Sequence, residues 1–249
     1  MSKLKNKVAI VTGASKGIGA GIAKAYGIAG ASVVVNYSSD KEGADRVVNE
    51  ITASGGKAVA VQASVAIAAD IKRLFKETKD AFGPVNILVN NAGVFKFGPL
   101  ETVTEEEFHR QFNINVLGTL LATQQAVEDF GVNGGSIINL SSVVSNNPIA
   151  NSVVYSATKG AVDTIAVALS KELGTRNIRV NTISPGGVET EGTHTIGIMG
   201  SDMERQMIAG TPLGRLGQPD DIAKVAVFLA SDDAEWVNGE KITVSGGFR

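Results

Sequence analysis

The sequence predicts an α/β fold in a single domain: a doubly wound parallel sheet of about seven strands with helices on both faces. Three observations carry that expectation. Short apolar runs rich in β-branched residues alternate with longer runs of helical period from Lys7 to Val244. The turns between them are short and marked by glycine or proline. No linker, repeat or shift of composition divides the 249 residues, a length that one large domain accommodates.

In chain order, Lys7 to Val11 reads as a strand buried on both faces. Ala20 to Ala29 reads as a helix that stops at Gly30. A second strand is expected at Ser32 to Asn36 and a charged helix from about Glu42 to Ser54, closed by Gly55-Gly56. Lys57 to Val61 is strand-like. Ala69 to Phe82 has its apolar residues Ile71, Leu74 and Phe75 at helical spacing and ends at Gly83-Pro84. Asn86 to Val89 is the fourth strand. Thr104 to Phe130 is a long helix with a candidate interruption at Gly118; its start, Thr104-Glu105-Glu106-Glu107, resembles a capping box. Strand five is Ser136 to Leu140, followed by a helix from Tyr155 to Leu173 and strand six at Ile178 to Ile183. Gly186 to about Gly210 is irregular and rich in Gly, Thr and Met. A helix at Asp220 to Leu229 and a strand at Lys241 to Val244 close the chain.

Composition narrows the function. A net charge of −2 gives no polybasic surface, so neither nucleic acid nor an anionic membrane is an expected partner. The absence of cysteine excludes disulfides and thiolate metal sites. No signal-peptide core or membrane-spanning run is visible, and a soluble, cytoplasmic protein is expected. His109 and His194 read as solvated side chains, and no His/Asp/Glu cluster has catalytic metal-ligand spacing, so no metal is expected.

Two stretches carry chemistry. Gly13, Gly17 and Gly19 lie between strand one and helix one. Glycines there let the backbone turn sharply and approach a pyrophosphate, and the helix N-terminus offers free N–H groups and positive potential. The strict Gly-x-Gly-x-x-Gly fingerprint is not met, because from Gly17 its last position is Ile22; the spacing is Thr-Gly-x-x-x-Gly-x-Gly. The second stretch is Tyr155-Ser156-Ala157-Thr158-Lys159. Residues four apart share a helix face, so the phenol and the ammonium lie together, and a fixed cation favours phenolate and lowers the tyrosine pKa. Alone, the pair reads first as a tyrosine on a helix shoulder beside a solvated lysine. Ser142, after strand five, falls at the same carboxyl edge of the sheet, where it is placed to donate a hydrogen bond to a substrate carbonyl.

Thr12-Gly13-x-x-x-Gly17-x-Gly19, Asn90-Asn91-Ala92-Gly93, Ser142, Tyr155-x-x-x-Lys159 and Pro185-Gly186 together resemble the short-chain dehydrogenase/reductase family in order and spacing, over essentially the whole chain. The resemblance implies a Rossmann-type fold and an NAD(P)-dependent oxidoreductase that interconverts a carbonyl and a secondary alcohol. It implies that Tyr155 is the general acid/base, that Lys159 tunes it and binds the nicotinamide ribose, that Ser142 assists, and that Asn115 interrupts the long helix and holds a water leading to Lys159. Cofactor contacts are then expected at Gly13, Ser15, Lys16, Gly17, Ile18 and Gly19, at Asn36, Tyr37 and Ser38, and at Ser64 and Val65. Asn91, Ala92 and Gly93, Tyr155 and Lys159, and Pro185, Gly186, Val188 and Thr190 complete the set. A homotetramer and a substrate lid at about 187–210 follow from the same resemblance.

Strand two ends Asn36-Tyr37-Ser38-Ser39, without the acid that holds the ribose of NAD, and Asp40 falls late for that role. Lys16 is a cation where NADP-using family members often carry one, so NADP(H) is preferred, with NAD(H) or dual use open if Asn36 binds the ribose hydroxyls. Ser64 replaces the Asp usual after strand three, which puts the adenine contact in doubt. For the substrate, three readings compete. A 3-oxoacyl carrier-protein reductase needs a basic docking patch, whereas the long helix ends Val127-Glu128-Asp129-Phe130-Gly131. A sugar dehydrogenase fits poorly with the apolar candidates Val94, Phe95, Phe97, Val143, Val144, Pro148, Ile149, Val153, Ile196, Ile198, Met199 and Met203. That inventory favours a carbonyl reductase acting on small hydrophobic ketones. A non-catalytic dinucleotide sensor on the same fold is the remaining alternative.

Overall fold

In a computed structural model that describes residues 2–195 and 197–248, the strands form one seven-stranded sheet in the order β3-β2-β1-β4-β5-β6-β7. Every pairing is parallel. The strands are β1 Val8–Val11, β2 Ser32–Tyr37, β3 Lys57–Gln62, β4 Ile87–Asn90, β5 Gly135–Leu140, β6 Ile178–Pro185 and β7 Lys241–Val244. The chain leaves β1 in one direction to build β2 and β3, then returns to place β4 on the other side of β1. That reversal opens a crevice at the carboxyl ends of β1 and β4, the general ligand position of doubly wound sheets.

The helices are α1 Gly17–Ile28, α2 Lys41–Ala53, α3 Ala68–Phe82, α4 Glu105–Phe112, α5 Gly118–Phe130, α6 Val153–Leu173, α7 Glu191–Thr195, α8 Asp202–Ala209 and α9 Pro219–Ala230. Alternation along the strands divides the core. Ala9, Val11, Val33, Val35, Ile87 and Val89 face the side covered by α1, α2 and α9, whereas Ile10, Val34 and Leu88 face the side covered by α3, α5 and α6. Both faces are buried, which is why these strands read as continuous apolar runs and not as alternating ones.

Four local expectations are corrected. Helix α1 begins at Gly17, so two of the turn glycines lie within its first turn. The long helix does not break at Gly118: α4 and α5 are joined by a π-helical segment, Asn113–Leu117, and Gly118 opens α5. Glycine is needed at 118 for packing, since a Cβ there would lie 2.7 Å from Val65 Cγ2. Only half of the capping box forms. Glu107 N–H donates to Thr104 Oγ1 at 3.2 Å, but the Glu107 carboxylate turns to Arg110 and Gln111. Strand β6 continues through Pro185, which pairs with Val244, and the irregular stretch after it contains α7 and α8.

Candidate active site

The crevice is held shut at its base by a knot between the glycine turn and the loop after β4. Asn91 Nδ2 donates to Thr12 O and Gly13 O at 2.8 and 2.9 Å, and the Asn91 and Ala92 N–H groups both donate to Thr12 Oγ1 at 3.0 Å. Close approach demands glycine: Gly13 has φ +61°, and a Cβ on Gly19 would sit 2.4 Å from Asn91 Nδ2 and 2.7 Å from Gly13 O. Pro185 is buried at the end of β6, and Gly186 N–H donates to Val244 O at 3.0 Å. Val188 is buried and bridges Gly217, while Thr190 lies against Gly17, with its Cγ2 3.3 Å from where a Cβ would stand. The turn also meets an anion of the protein's own. Gly17 N–H donates to Glu191 Oε2 at 2.9 Å, so a carboxylate oxygen stands in for a phosphate oxygen at the start of α1. The dinucleotide's phosphates fit here by that criterion. Nothing in the sequence singled out Glu191, because its partner is a backbone group.

The residues expected to select the cofactor divide. Lys16, exposed, places Nζ 4.0 Å from Asp40 Oδ2, and Ser38 and Ser39 are exposed beside it in sequence, while Ser15 and Ile18 are half-buried in the turn. Tyr37 is buried at the end of β2. Asp40 caps α2 by accepting from Gly43 N–H. Asn36 is a correction. It is buried, its Oδ1 accepts from Gly13 N–H at 3.2 Å, and its Nδ2 donates to Val61 O and Ala63 O at 3.2 and 3.0 Å. Its side chain braces the glycine turn against β2 and β3 and is not free to hold a ribose. After β3, where the adenine contact is expected, Val65 is buried against Gly118, and Ser64 N–H donates to Asp70 Oδ2 at 2.8 Å.

At the other end, Ser142, Tyr155, Lys159 and Asn115 converge. Tyr155 and Lys159 share a face of α6, with Nζ 5.6 Å from the centre of the phenol ring. Lys159 is buried and Nζ donates to Leu140 O at 2.7 Å. Ser142 precedes a 3-10 turn, Val143–Ser145, and its hydroxyl lies beside the phenol, where it favours phenolate. Ser141, by contrast, is buried and donates to Lys159 O at 3.2 Å, a structural bond. Asn115 sits in the π-helical segment. Its Oδ1 accepts from Val94 N–H and its Nδ2 donates to Val94 O, both at 2.8 Å, with a further bond to Thr158 Oγ1 at 3.0 Å. Gly93 lies between Asn115 and Lys159: a Cβ there would be 3.4 Å from Asn115 Oδ1 and 3.6 Å from Lys159 Nζ.

Electrostatics overturns one expectation. Burial pushes the Tyr155 phenol up to about 12, with Ser142 opposing the rise. Burial outweighs what lowers the phenol, and the hydrogen bond from Ser142 is the opposing influence. Burial likewise pulls Lys159 down to about 8, against the pull of Asp163. Phe95 and Phe97 stack at 5.3 Å and present edges to the Tyr155 ring at 5.8 and 5.9 Å. Ile149, Val153 and Met203 are exposed, whereas Val144 is core and not lining; Ile196 lies outside the described residues. Among the described residues, no group of three His, Asp or Glu is placed to hold a metal, and no helix is long and apolar enough to cross a membrane.

The enoyl-(acyl carrier protein) reductase family model matches residues 13–249. An uncharacterised oxidoreductase of Methylorubrum extorquens is 60% identical over the full length of both chains. A probable tetrahydroxynaphthalene reductase of Zymoseptoria tritici is 38% identical, covering 98% of this chain and 95% of that protein. The crystal structure of the angucycline C-6 ketoreductase LanV with bound NADP superposes with a TM-score of 0.91 at 36% identity, covering 99% of this chain and 96% of that one.

Proposed function

The chain belongs to the short-chain dehydrogenase/reductase family, and on that premise we propose that it reduces a ketone to a secondary alcohol with NADP(H), reversibly. The observation that carries this reading is the convergence of Ser142, Tyr155, Lys159 and Asn115 at the carboxyl edge of the sheet, under the Phe95–Phe97 pair.

A reduced nicotinamide, when bound, supplies hydride to the carbonyl carbon. The protein manages the oxygen. Tyr155, a protonated phenol through the neutral range, gives its proton to the carbonyl oxygen as negative charge develops there. Ser142 donates a second hydrogen bond to the same oxygen. Lys159 holds positive charge behind the phenol and binds the ribose, and Asn115 holds the water through which Lys159 reaches solvent. Gly13, Gly17 and Gly19 cradle the pyrophosphate, and Val188 and Thr190 orient the carboxamide. The stretch 187–210, with α7 and α8, serves as the lid.

NADP(H) is favoured over NAD(H) by the exposed cation Lys16 and by the exposed hydroxyls of Ser38 and Ser39 after β2, and by the NADP held in LanV. For the substrate, the aromatic pair over Tyr155, the probable tetrahydroxynaphthalene reductase and the angucycline C-6 ketoreductase favour an aromatic or hydrophobic ketone. They weigh against a bare sugar, and Glu128 and Asp129 weigh against an acidic carrier protein. Exposed apolar residues on α4 to α6, Phe108, Val153 and Val167 among them, suit a homotetramer, and the lack of cysteine suits the cytoplasm.

The test is NADPH oxidation with acetophenone, 2-tetralone and ethyl acetoacetate, run on the native protein and on Tyr155→Phe. General acid catalysis contributes ~10²–10⁴-fold, so the variant should lose at least a hundredfold in kcat while NADPH affinity stays within a few-fold. Turnover at the native rate in Tyr155→Phe would sink the reading.

A further inference from the structure

Helix α6 carries a third polar group on the face of Tyr155 and Lys159. Asp163 stands one helical turn beyond Lys159. Lys241, the first residue of β7, donates from Nζ to Asp163 Oδ2 at 2.5 Å, and the two side chains are only 21% and 17% exposed. The same ammonium donates to Ser145 Oγ at 2.5 Å. Ser145 Oγ in turn donates to the Ser142 carbonyl oxygen at 2.8 Å. One chain of hydrogen bonds therefore runs from the backbone of Ser142, through Ser145 and Lys241, to the helix that bears Tyr155. The other Asp163 oxygen, Oδ1, is buried without a partner. The charged groups facing Asp163 are Lys159 on its own helix and Lys241 from β7; the 3-10 turn contributes the neutral Ser145 hydroxyl.

Stability alone accounts poorly for this arrangement. A mostly desolvated ion pair is commonly matched or bettered by apolar residues of similar volume, and here half of the carboxylate lacks a hydrogen bond. What the pair does achieve is geometric. It joins the 3-10 turn and α6, neighbours in the chain, to the distant β7 at the point where two hydroxyls must address one oxygen. We propose that the Lys241–Asp163 pair is a positioning device for the reaction: it ties the turn bearing Ser142 to the helix bearing Tyr155 and stands as the anion behind Lys159. Neither residue touches the reacting atoms. The inference rests on the catalytic reading above, and its test is separable from it.

Asp163→Asn, Ser145→Ala, Lys241→Met and Lys241→Arg are assayed with NADPH and whichever of the three ketones the native protein turns over fastest. NADPH affinity is measured by calorimetry and folding by thermal unfolding. Asp163→Asn should lose roughly tenfold or more in kcat, on the scale of a misplaced catalytic group, with NADPH affinity within about twofold by the same reasoning. Its alkaline limb of activity should move to lower pH, because Lys159 loses the charge that helps it keep its proton. Ser145→Ala, which removes the link to Ser142 and no charge, should lower kcat without moving that limb. Lys241→Arg should recover much of what Lys241→Met loses. A folded Asp163→Asn protein with native kcat and an unmoved limb overturns the proposal. If that variant does not fold, native turnover in Ser145→Ala overturns it instead. Native turnover in Tyr155→Phe removes the catalytic reading itself, whereas an inactive Tyr155→Phe beside a native-like Asp163→Asn removes only the positioning role.

Discussion

Lys159 lies over the ring of Tyr155: Nζ is 5.6 Å from the ring centre while donating at 2.7 Å to Leu140 O. Burial sets both pKa values, the phenol up to about 12 and the ammonium down to about 8. Raising the pH through about 8 strips the folded protein of the Lys159 charge, well below the ordinary lysine value of 10.5. The phenol keeps its proton over that range. Ketone reduction, measured as kcat/KM, should hold level below pH 8 and fall above it, and the limb should vanish from the residual activity of Lys159→Met. A limb near pH 10 that survives this substitution would assign the titration to another group.

Lys16 offers a direct test of cofactor choice. Its side chain is 56% exposed and its nearest carboxylate oxygen is 4.0 Å away, so a bound 2′-phosphate meets a charge that is not already neutralised at contact. Lys16→Ala should weaken NADPH binding about tenfold, equivalent to about 1.4 kcal/mol, and leave NADH binding nearly unchanged. The loss should shrink as salt is raised. Equal losses for the two nucleotides, read by calorimetry, would mean that Lys16 acts on the turn and not on the phosphate.

Asn36 stands where an acid would select NAD, yet Asn36→Asp should not convert the specificity. The amide donates to Val61 O and Ala63 O while its oxygen accepts from Gly13 N–H. An aspartate retains the acceptor and loses both donors, leaving two backbone carbonyls facing a buried carboxylate. The expected result is a loss of about 2 kcal/mol or more in unfolding free energy, with weaker binding of both cofactors as the glycine turn loosens. A stable variant that has gained affinity for NADH would contradict this.

The strands and helices were legible because burial on two faces leaves continuous apolar runs and because glycines mark their ends. The glycine turn and the Tyr155–Lys159 face were legible for a related reason: each is a local pattern with a fixed spacing. What sequence did not reveal is contact between distant residues. Asn36 lies near the end of β2 in a place that suits a ribose contact, but three long-range bonds occupy its side chain. The direction of the Tyr155 pKa is set by burial of the phenol, which helical spacing does not specify. Glu191 acts through a partner 174 residues away in the chain and Lys241 through partners 78 and 96 residues away, and neither lies in a pattern.

Asn115 joins the fold to the site most directly. The π-helical segment Asn113–Leu117 turns its side chain inward, where it holds both backbone groups of Val94. Val94 leads into Phe95 and Phe97, whose edges meet Tyr155. Asn115→Ala leaves the Val94 N–H and C=O without these partners, a cost of about 2–3 kcal/mol in unfolding free energy if water does not replace them. The aromatic pair should then shift away from the phenol. Turnover of 2-tetralone should fall and its KM should rise, while NADPH binding, anchored at the glycine turn, should change by less. Asn115→Asp is the informative companion: it keeps the acceptor for Val94 N–H but loses the donor to Val94 O and Thr158 Oγ1. Its loss of turnover should be at least that of Asn115→Ala, because a buried carboxylate then faces the Val94 carbonyl, as in Asn36→Asp. If both variants retain native kinetics on the ketone, the Val94 contact does not govern the site.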